Sequence, residues 1–363
     1  MSFDRATAIL DEAIARRVTP CAVAEVGRSA GVLWREARGS LTYDPGAPNA
    51  TTATLFDLAS LTKVVATTTR AMHLVESGRL APEARVVDFL PGWGAEDRAS
   101  VTLRDLLEHC AGLPAVLPFY ETCHGREAFE AAICAAPLAY SPRARSIYSD
   151  LGFILVGFIL EDSAGARLDA QFADVVESLQ LPAEDLLRYG PLATADEQAR
   201  VLERVAPTQV DAWRGGRLLR GEVDDRNCAA LGSVAGHAGL FGSAGAVGQF
   251  ARRVLRGRLG ERANGLAAPG TFRRFLTRST VPGSSRALGW DLIVPTSSCG
   301  TLMSEQAFGH TGYTGTSLWI DPAVDVYVVL LTNRVHPQAG SPEPIRELRR
   351  DFHDAVMTAV KEG

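Results

Sequence analysis

Strand-like and helix-like stretches are sorted along this chain: short apolar runs with strand character lie near its two ends, and helical periodicity fills the interval between. Residues 21–27 (CAVAEVG) and 32–39 (VLWREARG) read as a hairpin closed by Arg28-Ser29-Ala30-Gly31. Strand-like runs return from about residue 286, as RALGWDLIV, then 314–320, then 324–331. Between 82 and 235 the pattern is helical, in VTLRDLLEHC, REAFEAAICAA, SDLGFILVGFILEDSAG and LDAQFADVVESLQ. One sheet drawn from both ends, with a helical insertion, is the arrangement this order predicts. Helices are expected at 3–17, with a stripe of Phe3, Ala6, Ile9, Leu10 and Ile14, and at about 344–360. Residues 261–270 read as a loop.

Composition narrows the function classes. With 46% hydrophobic and 22% charged residues the chain is an ordinary globular protein. Its 37 basic and 42 acidic residues leave a net charge of −5, without the positive field that nucleic acid or an anionic membrane would need. The opening MSFDRATAILDEAIARR reads as an amphipathic helix, not an export signal, and the longest apolar run, Leu151 to Leu160, is far short of a membrane span. A soluble, cytoplasmic protein is the expectation. Cysteines 21, 110, 123, 134, 228 and 299 form no C-x-x-C pair and suit a reduced thiol set. His109-Cys110 and Cys123-His124 are adjacent residues, not ligands spaced by two to four, so no metal is expected.

Arginine carries nearly all the positive charge: of the 37 basic residues only Lys63 and Lys361 are lysines. Arginine holds its proton near neutral pH, whereas a desolvated lysine can release it. Lys63 lies in Ser60-Leu61-Thr62-Lys63, within a stretch to Glu76 that holds no Gly or Pro and reads as a buried helix despite Val64, Val65 and Thr67 to Thr69. A spacing of three puts hydroxyl and amine on one helical face, as a nucleophile and its proton acceptor require. With 21 serines and two lysines, chance supplies only ~0.12 S-x-x-K matches. Gly27-Arg28-Ser29-Ala30-Gly31 also matches G-x-S-x-G, but a strand follows it where a nucleophile elbow needs a helix, so it reads as a hairpin turn.

Two further segments bear on the chemistry. Tyr148-Ser149-Asp150 sits at a loop-to-helix junction after the Ser141-Pro142 turn. Phe308-Gly309-His310-Thr311-Gly312-Tyr313-Thr314-Gly315 leads into a strand whose glycines admit a ligand close to the backbone. S-x-x-K, Y-S-D and H-T-G in this order resemble the serine β-lactamase and penicillin-binding protein superfamily. The likeness is to its branch near class C β-lactamases, D-alanyl-D-alanine carboxypeptidases and family VIII carboxylesterases. VTLRDLLEHCAGLP (101–114), GSVAGHAGLFGSAGAVGQFARRVL (232–255), ALGWDL and LLTNRVHP extend it over nearly the whole chain.

The resemblance implies an α+β fold, β-lactamase/transpeptidase-like, with an antiparallel sheet flanked by helices and a mostly helical second domain. Residues 1–80 and 236–363 would form the sheet domain and 81–235 the insertion. It implies Ser60 as acylated nucleophile, Lys63 as general base or relay, Tyr148 as the second proton carrier, and the N–H groups of Ser60 and Tyr313 as oxyanion donors. His310 would join the proton network, and Asp150, Thr311, Gly312 and Tyr313 would bind substrate. No cofactor is implied; the partner is a small ester, amide or β-lactam. Two departures matter. Asp150 replaces the amide of Y-x-N, and His310, partly charged near neutral pH, replaces the lysine of K-T-G. Both should weaken recognition of β-lactams and of peptides ending in a carboxylate, leaving small esters as the expected substrates and a β-lactamase or carboxypeptidase as the rival. A non-catalytic scaffold is the alternative of another class. If His310 titrates in turnover, ester hydrolysis should change through roughly pH 6 to 7. His237 is expected either to line the cleft or to bond a backbone carbonyl, His73 and His353 to pack or face solvent, and Asp224, Asp225 and Arg226 to form a rim loop or simply a solvated one.

Overall fold

The computed structural model describes residues 1–192, 198–261 and 266–363; part of the loop expected at 261–270, residues 262–265, lies outside them. Six antiparallel strands form the main sheet, in the order Gly31–Gly39, Cys21–Arg28, Val326–Thr332, Ser317–Asp321, Phe308–Thr311, Asp291–Leu292. The two chain ends meet at its centre, where Ala22 faces Thr332 and Val26 faces Val328. Alternation sorts the side chains between two cores. Ala22, Ala24, Val26, Val328 and Leu330 pack under the terminal helices Asp4–Ala15 and Glu343–Glu362, while Cys21, Val23, Val329 and Leu331 face the helix Ala244–Arg258 and the main core. Both faces are covered, so these strands read as continuous apolar runs. Ser29 sits in the hairpin turn and donates its hydroxyl to Asp325, as expected of a turn residue. The fold is therefore α+β, an antiparallel sheet flanked by helices.

Two elements bring the helical part to the sheet. The helix Asp150–Ala164 is buried continuously from Leu151 to Leu160, the pattern of a helix enclosed on all sides. Ser149 caps it by accepting the Gly152 N–H, and Gly165 ends it in the left-handed conformation. Its first residue, Asp150, is thereby fixed at the edge of the core.

The second element departs from the plain helix predicted for Ser60–Glu76. Residues Lys63–Thr68 form a π-helical stretch that runs into the α-helix Thr69–Glu76. The widened turn accommodates crowded β-branched residues, and the Thr69 hydroxyl donates to the carbonyl of Val64, five residues back. All six π-helical residues are buried, and the Thr67 hydroxyl donates to the Gly236 carbonyl at 2.7 Å. Gly236 has to be glycine, because a Cβ there would meet the Phe153 carbonyl and the Gly157 backbone. That close approach sets the carbonyl of His237 against the amine of Lys63.

Candidate active site

Ser60 follows the short strand Phe56–Asp57, which pairs with Leu240–Gly242. The intervening Ala59 has φ 47°, a left-handed conformation uncommon for a residue with a Cβ and frequent at functional turns. The Ser60 Oγ accepts from the Tyr148 phenol at 2.7 Å and from Lys63 Nζ at 3.0 Å. Lys63 is fully buried and donates also to Asp150 Oδ1 at 2.7 Å and to the His237 carbonyl at 3.0 Å. Two groups, three and 88 residues away in sequence, thus share one serine oxygen.

A cleft of about 720 Å³ opens over this centre, lined by Ser60, Tyr148, Asp150, His237, Arg286, His310, Thr311, Gly312 and Tyr313. Every cleft residue expected from the sequence lines it, and Lys63 lies buried behind Ser60. The Ser60 and Tyr313 N–H groups donate to no other group among the described residues. Gly312 has to be glycine: a Cβ would lie 2.7 Å from the Leu58 carbonyl and against the Thr316 hydroxyl. Its carbonyl accepts from the buried Arg349, whose pKa burial lowers to about 9. Tyr313 is 54% exposed at the mouth, with Arg334 stacked 4.8 Å from its ring centre.

The electrostatics correct two expectations. Burial alone would free the Lys63 amine, but the Asp150 carboxylate and the Tyr148 oxygen outweigh it and hold the ammonium above the ordinary lysine range. Asp150 lines the cleft, as a substrate-binding residue should, yet its carboxylate is committed to Lys63. His310 is neutral, not partly charged: burial, then Arg286 and Lys63, push it well below the ordinary imidazole value. Its Nδ1–H donates to the Thr311 carbonyl at 2.8 Å, leaving a buried Nε2 with no partner among the described residues. Tyr148 is raised by burial, against the pull of Lys63, and keeps its phenol proton.

His237 follows the first of its two expected roles and lines the cleft. Its Nε2 meets the Asp225 carboxylate at 2.9 Å, not a backbone carbonyl. Burial pushes Asp225 up, but His237 prevails and brings it down to about 2. Asp224, Asp225 and Arg226 follow the first of their two readings and all line the cleft, with Asp224 turned inward to Gln209. His353 is buried and donates to the Arg349 carbonyl, and His73 lies beside Arg70. Among the described residues no group of three or more His, Cys, Asp or Glu is placed to hold a metal.

Sequence reading missed two residues here. The ring of His109 lies 4.7 Å from that of Tyr148, and its Nδ1 accepts the Ser149 N–H, which fixes the loop before the helix. Arg286 stands 5.1 Å from the Tyr148 ring centre, close to the 4.9 Å of Lys63. Neither carries a local signal, since both act through contacts made only in the folded chain.

A family model for Beta-lactamase matches residues 6–350. The chain belongs to the Beta-lactamase family. It is a serine hydrolase of the β-lactamase and penicillin-binding protein superfamily. Among relatives, a protein of Escherichia coli (strain K12) named for D-alanyl-D-alanine carboxypeptidase activity is 32% identical over 322 residues, covering 81% of this chain and 72% of its own. An N-acetylmuramyl-L-alanine amidase of Bacillus subtilis (strain 168) is 31% identical over 316 residues, covering 80% and 70%. The structure of EstCE1, a hydrolase with promiscuous acyltransferase activity, superposes with a TM-score of 0.74 at 21% identity, covering 98% of both chains, and shares the fold. Within this β-lactamase-family frame, Ser60, Lys63 and Tyr148 occupy one centre.

Proposed function

We propose that this β-lactamase-family protein hydrolyses small carboxylic esters through an acyl-enzyme on Ser60. The observation that carries the reading is the Ser60 Oγ held between the Tyr148 phenol and the Lys63 amine, at 2.7 and 3.0 Å. As Ser60 bonds to the ester carbonyl carbon, its proton passes to Lys63 while Lys63 passes one of its own to Asp150, so the amine is never left free. The carbonyl oxygen becomes an oxyanion facing the free N–H groups of Ser60 and Tyr313. When the intermediate collapses, the C–O bond to the leaving group breaks and Tyr148 gives its proton to the departing alkoxide. The phenolate then takes a proton from the water that attacks the acyl-enzyme; as the acyl C–O bond to Ser60 breaks, Lys63 returns the proton to the Ser60 Oγ, Asp150 returns its own to Lys63, and the acid is released. Esters suit this site better than β-lactams because the neutral His310 supplies no cation at the strand beside the nucleophile.

A second reading, a β-lactamase or D-alanyl-D-alanine carboxypeptidase whose substrate carries a free carboxylate, is favoured by Arg286 in the cleft wall. The names of the Escherichia coli and Bacillus subtilis relatives point the same way. Incubation with a fluorophosphonate and, separately, a fluorescent penicillin tests both. Labelling of Ser60 by the first alone supports the esterase, labelling by both supports the second reading, and labelling by neither leaves a scaffold. Release of D-alanine from a D-alanyl-D-alanine peptide would favour the second reading directly.

A further inference from the structure

Asp57 lies three residues before Ser60, is 2% exposed, and has no part in the proton transfers above. Its Oδ1 accepts the Ala59 N–H at 2.8 Å, its Oδ2 accepts the Asp224 N–H at 2.7 Å, and its backbone carbonyl accepts the Thr314 hydroxyl at 2.8 Å. Each bond reaches a different wall of the site. Ala59 is the left-handed residue whose successor offers the first free N–H, and Thr314 follows Tyr313, which offers the second. Asp224 precedes Asp225, which holds the ring of His237, and the His237 carbonyl supports Lys63.

We propose that Asp57 is a positioning residue for acyl transfer, competent only as the carboxylate, because only the ionised group accepts both the Ala59 and the Asp224 N–H. Protonation turns one oxygen into a donor facing an N–H, so one of the two segments is released. The inference rests on the reading that Ser60 is acylated. Burial first, then the charges of Asp224 and Asp225, raise Asp57 to about 7, which puts the change in the neutral range. The titratable groups that face it are Asp224 and Asp225 on the rim loop and Cys228 behind them. The paired strand Leu240–Gly242 brings none, Lys63 is committed to Asp150, and Arg214 is committed to Asp211 and to the carbonyls of Val223 and Asp224.

The test is the rate of fluorophosphonate labelling of the full chain between pH 5.5 and 8.5, with ester kcat and KM measured alongside. The wild-type rate is expected to rise with pH through about 7. Asp57→Asn has one acceptor at every pH, so its profile is flat and its rate about 10- to 100-fold below the wild-type plateau, the effect of one charge-assisted hydrogen bond. KM should change by less than about 3-fold, since Asp57 is not placed to touch substrate. Thr314→Val, which keeps the charge and loses the third bond, should be slower by about 10-fold and retain the pH step. Its result stands even where Asp57→Asn fails to fold. Asp57→Asn with the wild-type rate and step, or Thr314→Val at the full wild-type rate, overturns the proposal alone. A wild type that is never labelled at Ser60 overturns the acyl-enzyme reading and this proposal with it.

Discussion

Replacing Asp150 by Asn removes the charge facing a fully buried ammonium and leaves the shape of the site nearly unchanged. At the observed 2.7 Å, with an effective dielectric constant of about 20, the Lys63–Asp150 attraction is about 6 kcal/mol. That corresponds to roughly a 10⁴-fold change in proton affinity, and the desolvation of Lys63 is then opposed chiefly by the Tyr148 oxygen. The amine of Asp150→Asn should lose its proton at a markedly lower pH than the wild-type ammonium, which persists above the ordinary lysine range. With two lysines in the chain, ¹³C-lysine labelling gives two sets of signals, and Lys361→Arg assigns them. Ester hydrolysis measured alongside should fall by about 10² to 10³ below the new midpoint and recover above it, where the free amine takes the Ser60 proton directly. A Lys63 signal that titrates at the same pH in wild type and variant would refute the reasoning, because Asp150 would then not govern the charge on the amine.

Tyr148→Phe removes the proton donor to Ser60 and should lower ester kcat by about 10² to 10⁴ with little change in KM, read by steady-state kinetics. Gly312→Ala drives a methyl group into the Leu58 carbonyl beside the nucleophile turn; kcat should fall by at least about 10-fold while thermal unfolding shifts only a few degrees. Because His310 is already neutral, any inflection of the wild-type ester profile near pH 6 to 7 should persist in His310→Asn; its disappearance there would assign the step to this imidazole.

The residues that approach Ser60 were legible where chemistry is written locally. S-x-x-K in a chain with two lysines, and a tyrosine opening an apolar helix, lead to the cluster that the structure assembles. The strand positions at both ends were readable from their apolar runs, although the run at 286–294 yields only the two-residue strand Asp291–Leu292. What the residues could not disclose is electrostatic. Whether Lys63 keeps its proton depends on Asp150, 87 residues away, and whether His310 keeps one depends on burial and on Arg286. The π-helical turn was equally hidden, since β-branched residues signal a strained helix without specifying how the strain is relieved. Asp57 shows the same limit: one carboxylate before a serine is unremarkable until the partners of both its oxygens are known.

The sheet joins its first and last strands side by side, Ala22 opposite Thr332, across more than three hundred residues of intervening chain. During synthesis the hairpin of residues 21–39 therefore emerges without the neighbour that completes it and waits until residue 332 has left the ribosome. The strand carrying His310 and the Gly312–Tyr313 turn arrives late as well, so the catalytic pocket has no nascent intermediate that could turn over. A chain released early, before residue 332, would carry Ser60, Lys63 and Tyr148 and still be inert, with an open sheet edge prone to pair with another copy.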